Sequence, residues 1–166
     1  ESLYDTIVYQ GGAVRRALFY GWILGQKYPM QMMNLILSQV DYNPVWEMMD
    51  ITPNFEEINI PIMHMSGWYD LYTRGNLNAF KAINERGGPN ARGKQRLVVG
   101  PWTHEGFLAL AGVAQGDLTY PGNSRYDLGE IIEWFQECLQ GRDKGYMSGP
   151  AVRYYVMGDP ETRGAP

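Results

Sequence analysis

Apolar positions along this chain of 166 residues change their period near Asp50. Before it, they recur with helical spacing. Val14, Ala17, Leu18, Gly21 and Trp22 share one face of a helix predicted from Ala13 and ended by Gly25. Met30 to Val40 predicts a second helix, and Asn43-Pro44 introduces a short third over 45–49. No strand-like alternation interrupts 13–50, which reads as an all-helical insertion. Residues 1–12 read as a loop or strand remnant closing on Gln10-Gly11-Gly12.

Beyond Asp50 the pattern is strand, helix, strand. Residues 60–66 are apolar on both faces, as expected of a parallel strand covered on both sides, and 95–100 is the second strand, following a short polar loop. Between them Thr73 is a plausible N-cap, and Leu77, Phe80 and Ile83 predict a buried helical stripe stopped by Gly87-Gly88-Pro89. That is a βαβ unit, for which a right-handed crossover is expected. Residues 105–125 are Gly-rich and read as loop. The strongest helix pattern is Tyr126 to Gln140, with Leu128, Ile131, Ile132, Phe135, Cys138 and Leu139 on one side and Gly141 at the C-terminal cap. Val152 to Val156 alternates, and reads as the first strand of a separate β-rich unit.

Composition narrows the class. Apolar content of 45% with 19% charged residues describes a globular rather than a disordered chain. A net charge of −4 with scattered basic residues argues against nucleic acid as a partner. The single cysteine, Cys138, excludes an internal disulfide, fits a buried structural thiol and leaves the compartment open. No run approaches the ~20 apolar residues of a membrane span. The first residues lack the pattern of a signal peptide and an initiator methionine, so the chain is expected to begin inside a longer protein. No metal-ligand spacing and no phosphate-binding Gly loop is present, and no metal or cofactor is expected.

The two apolar runs each end in a residue with chemistry to offer. The first continues through Gly67-Trp68-Tyr69 to Asp70, the second through Gly100-Pro101-Trp102-Thr103 to His104. Catalytic groups on α/β sheets sit at the carboxyl ends of strands. A carboxylate followed in chain order by a histidine is two-thirds of a nucleophilic triad. Asp70 could instead only cap the following helix. His64, mid-strand between two methionines, is a buried neutral imidazole for which one backbone partner suffices. Trp68 and Trp102 could wall a substrate site or only brace the strand ends. Met30, Met32, Met33, Met48 and Met49 fit core packing better than an acyl pocket. Glu47, Asp50, Glu56 and Glu57 fit a solvated face better than a subsite for a substrate ammonium.

Gly67-Trp68-Tyr69-Asp70 together with Gly100-Pro101-Trp102-Thr103-His104 resembles the acid and histidine motifs of the CocE/NonD hydrolases, a group related to the X-Pro dipeptidyl-peptidases of family S15. The likeness extends to Leu3-Tyr4-Asp5 through Ala13, to Trp134-Phe135 and to Val152 through Gly158. It implies an α/β fold: the C-terminal portion of an α/β-hydrolase core (1–12 and 51–145), a helical cap insertion (13–50) and the start of a C-terminal jelly roll (146–166). It implies Asp70 as triad acid and His104 as general base, acting on a small ester, amide or peptide substrate. The family's serine lies in a G-x-S-Y-x-G elbow. None of Ser2, Ser38, Ser66, Ser124 and Ser148 has that context, and Ser66 is on the same strand as Asp70. Glu105 also stands where the family often has glycine after the histidine. The nucleophile and oxyanion donors are therefore expected in an N-terminal part of the same protein. The alternative is an inactive truncation or a binding module with the same fold.

Overall fold

The computed structural model describes residues 13–39, 41–104, 114–115, 117–120 and 126–156. The expectations for 1–12, Glu105 and Ser124, and for the jelly-roll residues after Val156, lie outside that set. The chain divides into two compact units, Glu1–Ile51 and Thr52–Pro166.

The first unit is helical in its described residues: α1 (Arg16–Gly25), α2 (Met30–Ser38) and α3 (Pro44–Glu47). Phe19 and Ile23 of α1 are buried, with Tyr20, Ile36 and Leu37 packed against them. This is not the face that sequence patterning selects. Leu18 and Trp22 are exposed instead. Residues 17–20 and 22–24 are all apolar or aromatic, so two stripes compete, and contact with α2 decides between them. The turn after α1 is a Schellman motif. Tyr28 N–H donates to Ile23 O and Lys27 N–H to Leu24 O, each at 3.0 Å. Lys27 takes the left-handed position at φ 58°, where glycine is usual. Asn43 caps α3 by accepting from Val45 N–H at 2.9 Å, with Pro44 at the first helical position. Met30, Met32, Met48 and Met49 are exposed, so core packing does not describe them within this unit, whose buried cluster is small.

The second unit is built on a parallel sheet of β1 (Met63–Gly67), β2 (Arg96–Gly100) and β5 (Val152–Tyr154), in the order β1-β2-β5. Helix α4 (Thr73–Arg86) connects β1 to β2, as the βαβ pattern predicts. Ile83 of α4 joins Phe55 and Ala91 in a buried cluster, covered by Ile58, Ile62, Ala79 and Ala82. A two-stranded antiparallel ribbon, β3 (Ala114–Gln115) and β4 (Leu118–Thr119), follows β2 and precedes α5 (Gly129–Gln140).

Two features of this unit differ from the sequence reading. Val152–Tyr154 does not open a β unit of its own among the described residues. It pairs parallel with β2, Leu97 opposite Val152 and Val99 opposite Tyr154. Alternation in a short run cannot tell an edge strand of one sheet from the first strand of another. The inward face of α5 is also rotated. Trp134 is 5% exposed, whereas Ile132, Phe135 and Leu139 stand out at 62%, 53% and 78%. Polar anchors and one aromatic orient the helix. Trp134 packs edge-on against Tyr146, Glu137 accepts from the N–H groups of Lys144, Tyr146 and Met147 at 2.8–3.1 Å, and Glu130 pairs with Arg153. Gly141 ends the helix in the left-handed conformation at φ 65°, as its position suggests. Among the described residues no helix is long and apolar enough to cross a membrane.

Candidate active site

The register of β1 and β2 sets Gly67 opposite Gly100 at the carboxyl ends of the strands. The ladder then continues briefly, with Trp68 N–H donating to Gly100 O at 2.9 Å and Tyr69 N–H to Trp102 O at 3.0 Å. Both glycines are sterically required. A Cβ on Gly67 would lie 1.9 Å from the Trp102 carbonyl oxygen, and one on Gly100 would lie 2.2 Å from the Trp102 indole.

Past the glycines the β1 strand turns. Asp70 N–H donates to Gly67 O at 3.0 Å, and the Thr73 hydroxyl bonds to the carbonyls of Gly67 and Asp70. Ser66, buried, donates its hydroxyl to Thr73 Oγ1 at 3.2 Å. Thr73 is thus a brace for this turn; the residue at the cap position of α4 is Tyr72. The Asp70 carboxylate accepts from Tyr72 N–H at 2.8 Å through Oδ1.

That turn brings Asp70 to His104. The imidazole Nδ1 lies 3.2 Å from Oδ1 and 3.1 Å from Oδ2. The carboxylate side chain is 6% exposed and the imidazole 55%. Asp70 therefore closes its own turn and engages the histidine, and it does not cap α4, whose cap residue Tyr72 makes no side-chain capping bond. With Nδ1 on the carboxylate, Nε2 is the ring nitrogen left for a further partner. The buried acid and accessible imidazole can accept a proton at Nε2 and stabilise the resulting cation.

Neighbouring groups hold the pair from several sides. The Tyr72 ring meets the His104 ring at 4.8 Å between centroids with 64° between planes. Gln115, buried on β3, accepts from Thr103 N–H at 2.8 Å, one residue before His104. Trp102 is 5% exposed and packs edge-on against Tyr126, which is a bracing position. Trp68 keeps 39% of its surface while its indole N–H donates to Tyr155 O at 2.7 Å. The hydroxyls of Tyr69 and Tyr120 lie 2.9 Å apart. Burial, then the bond to Tyr69, pushes the Tyr120 phenol up to about 12, so it stays neutral at physiological pH. Tyr72, Gln115 and Tyr120 carry no motif that sequence reasoning could single out. Their proximity comes from turn geometry and from a two-stranded ribbon too short to show periodicity.

His64 lies in the strand interior. It is buried as expected, but its partners are side-chain amides rather than a backbone group. Nδ1 is 3.2 Å from Asn76 Oδ1 and Nε2 is 3.1 Å from Gln95 Oε1. Both amides are oriented by their NH2 groups, which donate to Met65 O from Asn76 and to Ile60 O and Ala91 O from Gln95. Glu47, Glu56 and Glu57 are exposed and Asp50 accepts from the Tyr42 hydroxyl. Among the described residues no group of three or more His, Cys, Asp or Glu is arranged to hold a metal ion.

The family model for X-Pro dipeptidyl-peptidases (S15 family) matches residues 24–106, half of the chain and a span that includes both Asp70 and His104. The chain belongs to the S15 family. It is also similar to two mycobacterial proteins named as candidate serine esterases, one from Mycobacterium bovis and one from Mycobacterium tuberculosis. Each is 27% identical over 100 residues, which covers 58% of this chain and 14% of the relative. The similarity thus takes in a small part of those longer proteins.

Proposed function

We propose that this S15-family chain carries the acid and the general base of a serine acyl hydrolase acting on esters or amides, in an active site of the CocE/NonD type. The observation that carries the reading is the contact between the buried Asp70 carboxylate and the Nδ1 of an accessible histidine. Asp70 would hold the imidazole with its Nδ1 proton on the carboxylate. His104 Nε2 would take the proton of the serine hydroxyl as its oxygen attacks the acyl carbon, and would pass it to the leaving group as the acyl bond breaks. Water would then resolve the acyl-enzyme with the proton moving the same way. Serine and oxyanion donors would come from outside these residues. Ser66, buried and bonded to Thr73, is no substitute. Trp68, half exposed beside Asp70, would line the substrate site, and Trp102 would hold the strand end behind it.

His104→Ala in the protein carrying its serine tests the assignment. Hydrolysis of a p-nitrophenyl ester is expected to fall by at least about 10^3-fold in kcat. Unchanged hydrolysis would remove His104 from the mechanism. A fluorophosphonate should not label these 166 residues alone; labelling would show that they hold a nucleophile of their own.

A further inference from the structure

Tyr72 touches both members of the Asp70–His104 pair. Its main-chain N–H donates to Asp70 Oδ1 at 2.8 Å, and its ring meets the imidazole at 4.8 Å and 64°. The ring is itself exposed and belongs to neither buried hydrophobic cluster. Filling the interior therefore does not explain an aromatic residue at this position.

His104 needs something of this kind. More than half of its side chain is in solvent, and its carboxylate contact is made through one ring nitrogen. A single anchor leaves the imidazole free to swing about it, and side chains in water change rotamer on the picosecond to nanosecond scale. A general base must instead keep its second nitrogen within hydrogen-bond reach of the proton it takes. We propose that Tyr72 is a positioning residue whose ring, set edge to face with the imidazole, restricts that swing and keeps Nδ1 on Asp70. The edge-to-face arrangement is one that aromatic quadrupoles favour. Because Tyr72 stands two residues after Asp70 in the same turn, one backbone conformation sets both the carboxylate and the ring. The inference rests on His104 acting as the general base.

The test compares the wild type, Tyr72→Phe and Tyr72→Leu with 15N-histidine labelling. The phenylalanine variant should keep the ring-current shift of the His104 carbon-bound protons and the slow solvent exchange of its Nδ1 proton. The leucine variant should lose both, with the backbone amide spectrum otherwise retained. An Nδ1 proton equally protected with leucine overturns the proposal. In the protein carrying its serine, leucine should lower kcat about tenfold at unchanged KM and phenylalanine should restore it. A raised KM at unchanged kcat also overturns it, because Tyr72 would then be a substrate contact. If His104→Ala left hydrolysis intact, the general-base reading would fail by itself, while the exchange data would still report whether the ring holds the imidazole.

Discussion

Replacing Gly67 by alanine should open the site by moving backbone rather than by removing a functional group. The added Cβ would lie 1.9 Å from Trp102 O and 2.5 Å from Trp102 C, where ordinary contact begins at 3.4 Å. The Trp102 segment must retreat by about 1.5 Å. That carbonyl accepts the Tyr69 N–H at 3.0 Å, so the bond that extends the ladder past the strand ends is lost. Overpacking against main chain together with one lost hydrogen bond should cost about 3–4 kcal/mol. Trp102 is two residues from His104, and the Asp70 contact at 3.1 Å has little room before it ceases to be a hydrogen bond. A misplacement near 1 Å costs on the order of 10^2-fold in rate. Urea unfolding gives the first quantity, ester hydrolysis by the protein carrying its serine gives the second, and solvent exchange of the His104 Nδ1 proton reports whether the imidazole stays on Asp70. Gly75→Ala is the control. It lies in α4 with nothing within 4 Å of its Cβ, and should stabilise by about 0.5–1 kcal/mol. A Gly67→Ala protein within about 0.5 kcal/mol of wild type, with its imidazole proton still protected, would refute the close-approach argument.

Two further changes probe the scaffold. Burial pushes the Glu137 carboxyl up, but the N–H groups of Met147, Tyr146 and Lys144 outweigh it and hold it below the usual range. Its stabilising contribution is therefore present above the unfolded-state value and is lost as pH falls through the folded one. Glu137→Gln should cost about 1–2 kcal/mol at neutral pH, and urea titrations near pH 3 should find that gap much narrowed; an equal gap at both pH values would count against the carboxylate. His64→Leu removes the ring that faces Asn76 Oδ1 and Gln95 Oε1, of which a neutral imidazole donates to one, and should destabilise by about 1–3 kcal/mol. A loss under about 0.5 kcal/mol in thermal or urea unfolding would mean that those amides find other donors.

What the sequence made legible follows from how far each signal depends on tertiary partners. The βαβ order could be read because period and length agree there: two five-residue strands flank the 14-residue α4. The Asn43-Pro44 pair and Gly141 were legible because capping is local chemistry. The buried faces of α1 and α5 were not, and for one reason in two forms. Helix α1 offers two apolar stripes, whereas α5 is anchored by Glu130, Trp134 and Glu137 and leaves its most regular apolar stripe outward. Strand β5 pairs with β2, which the sequence does not reveal because three residues of alternation carry no information about which sheet they join.

The candidate site shows the same division most clearly. Parallel strands put their carboxyl ends on one side of a sheet, so Asp70 and His104 had to share an edge once both runs were read as strands. Sharing an edge does not bring side chains within 3.1 Å. The pairing depends on register: Gly67 stands opposite Gly100, Asp70 follows three residues later and His104 four. A slip of one residue would carry each side chain to the opposite face of its strand and separate the turns. Two small residues at the last rung let the Trp102 carbonyl reach Tyr69 N–H and bring the turns together. The motif glycines are therefore as much a part of the candidate site as Asp70 and His104, because they determine whether those two side chains meet.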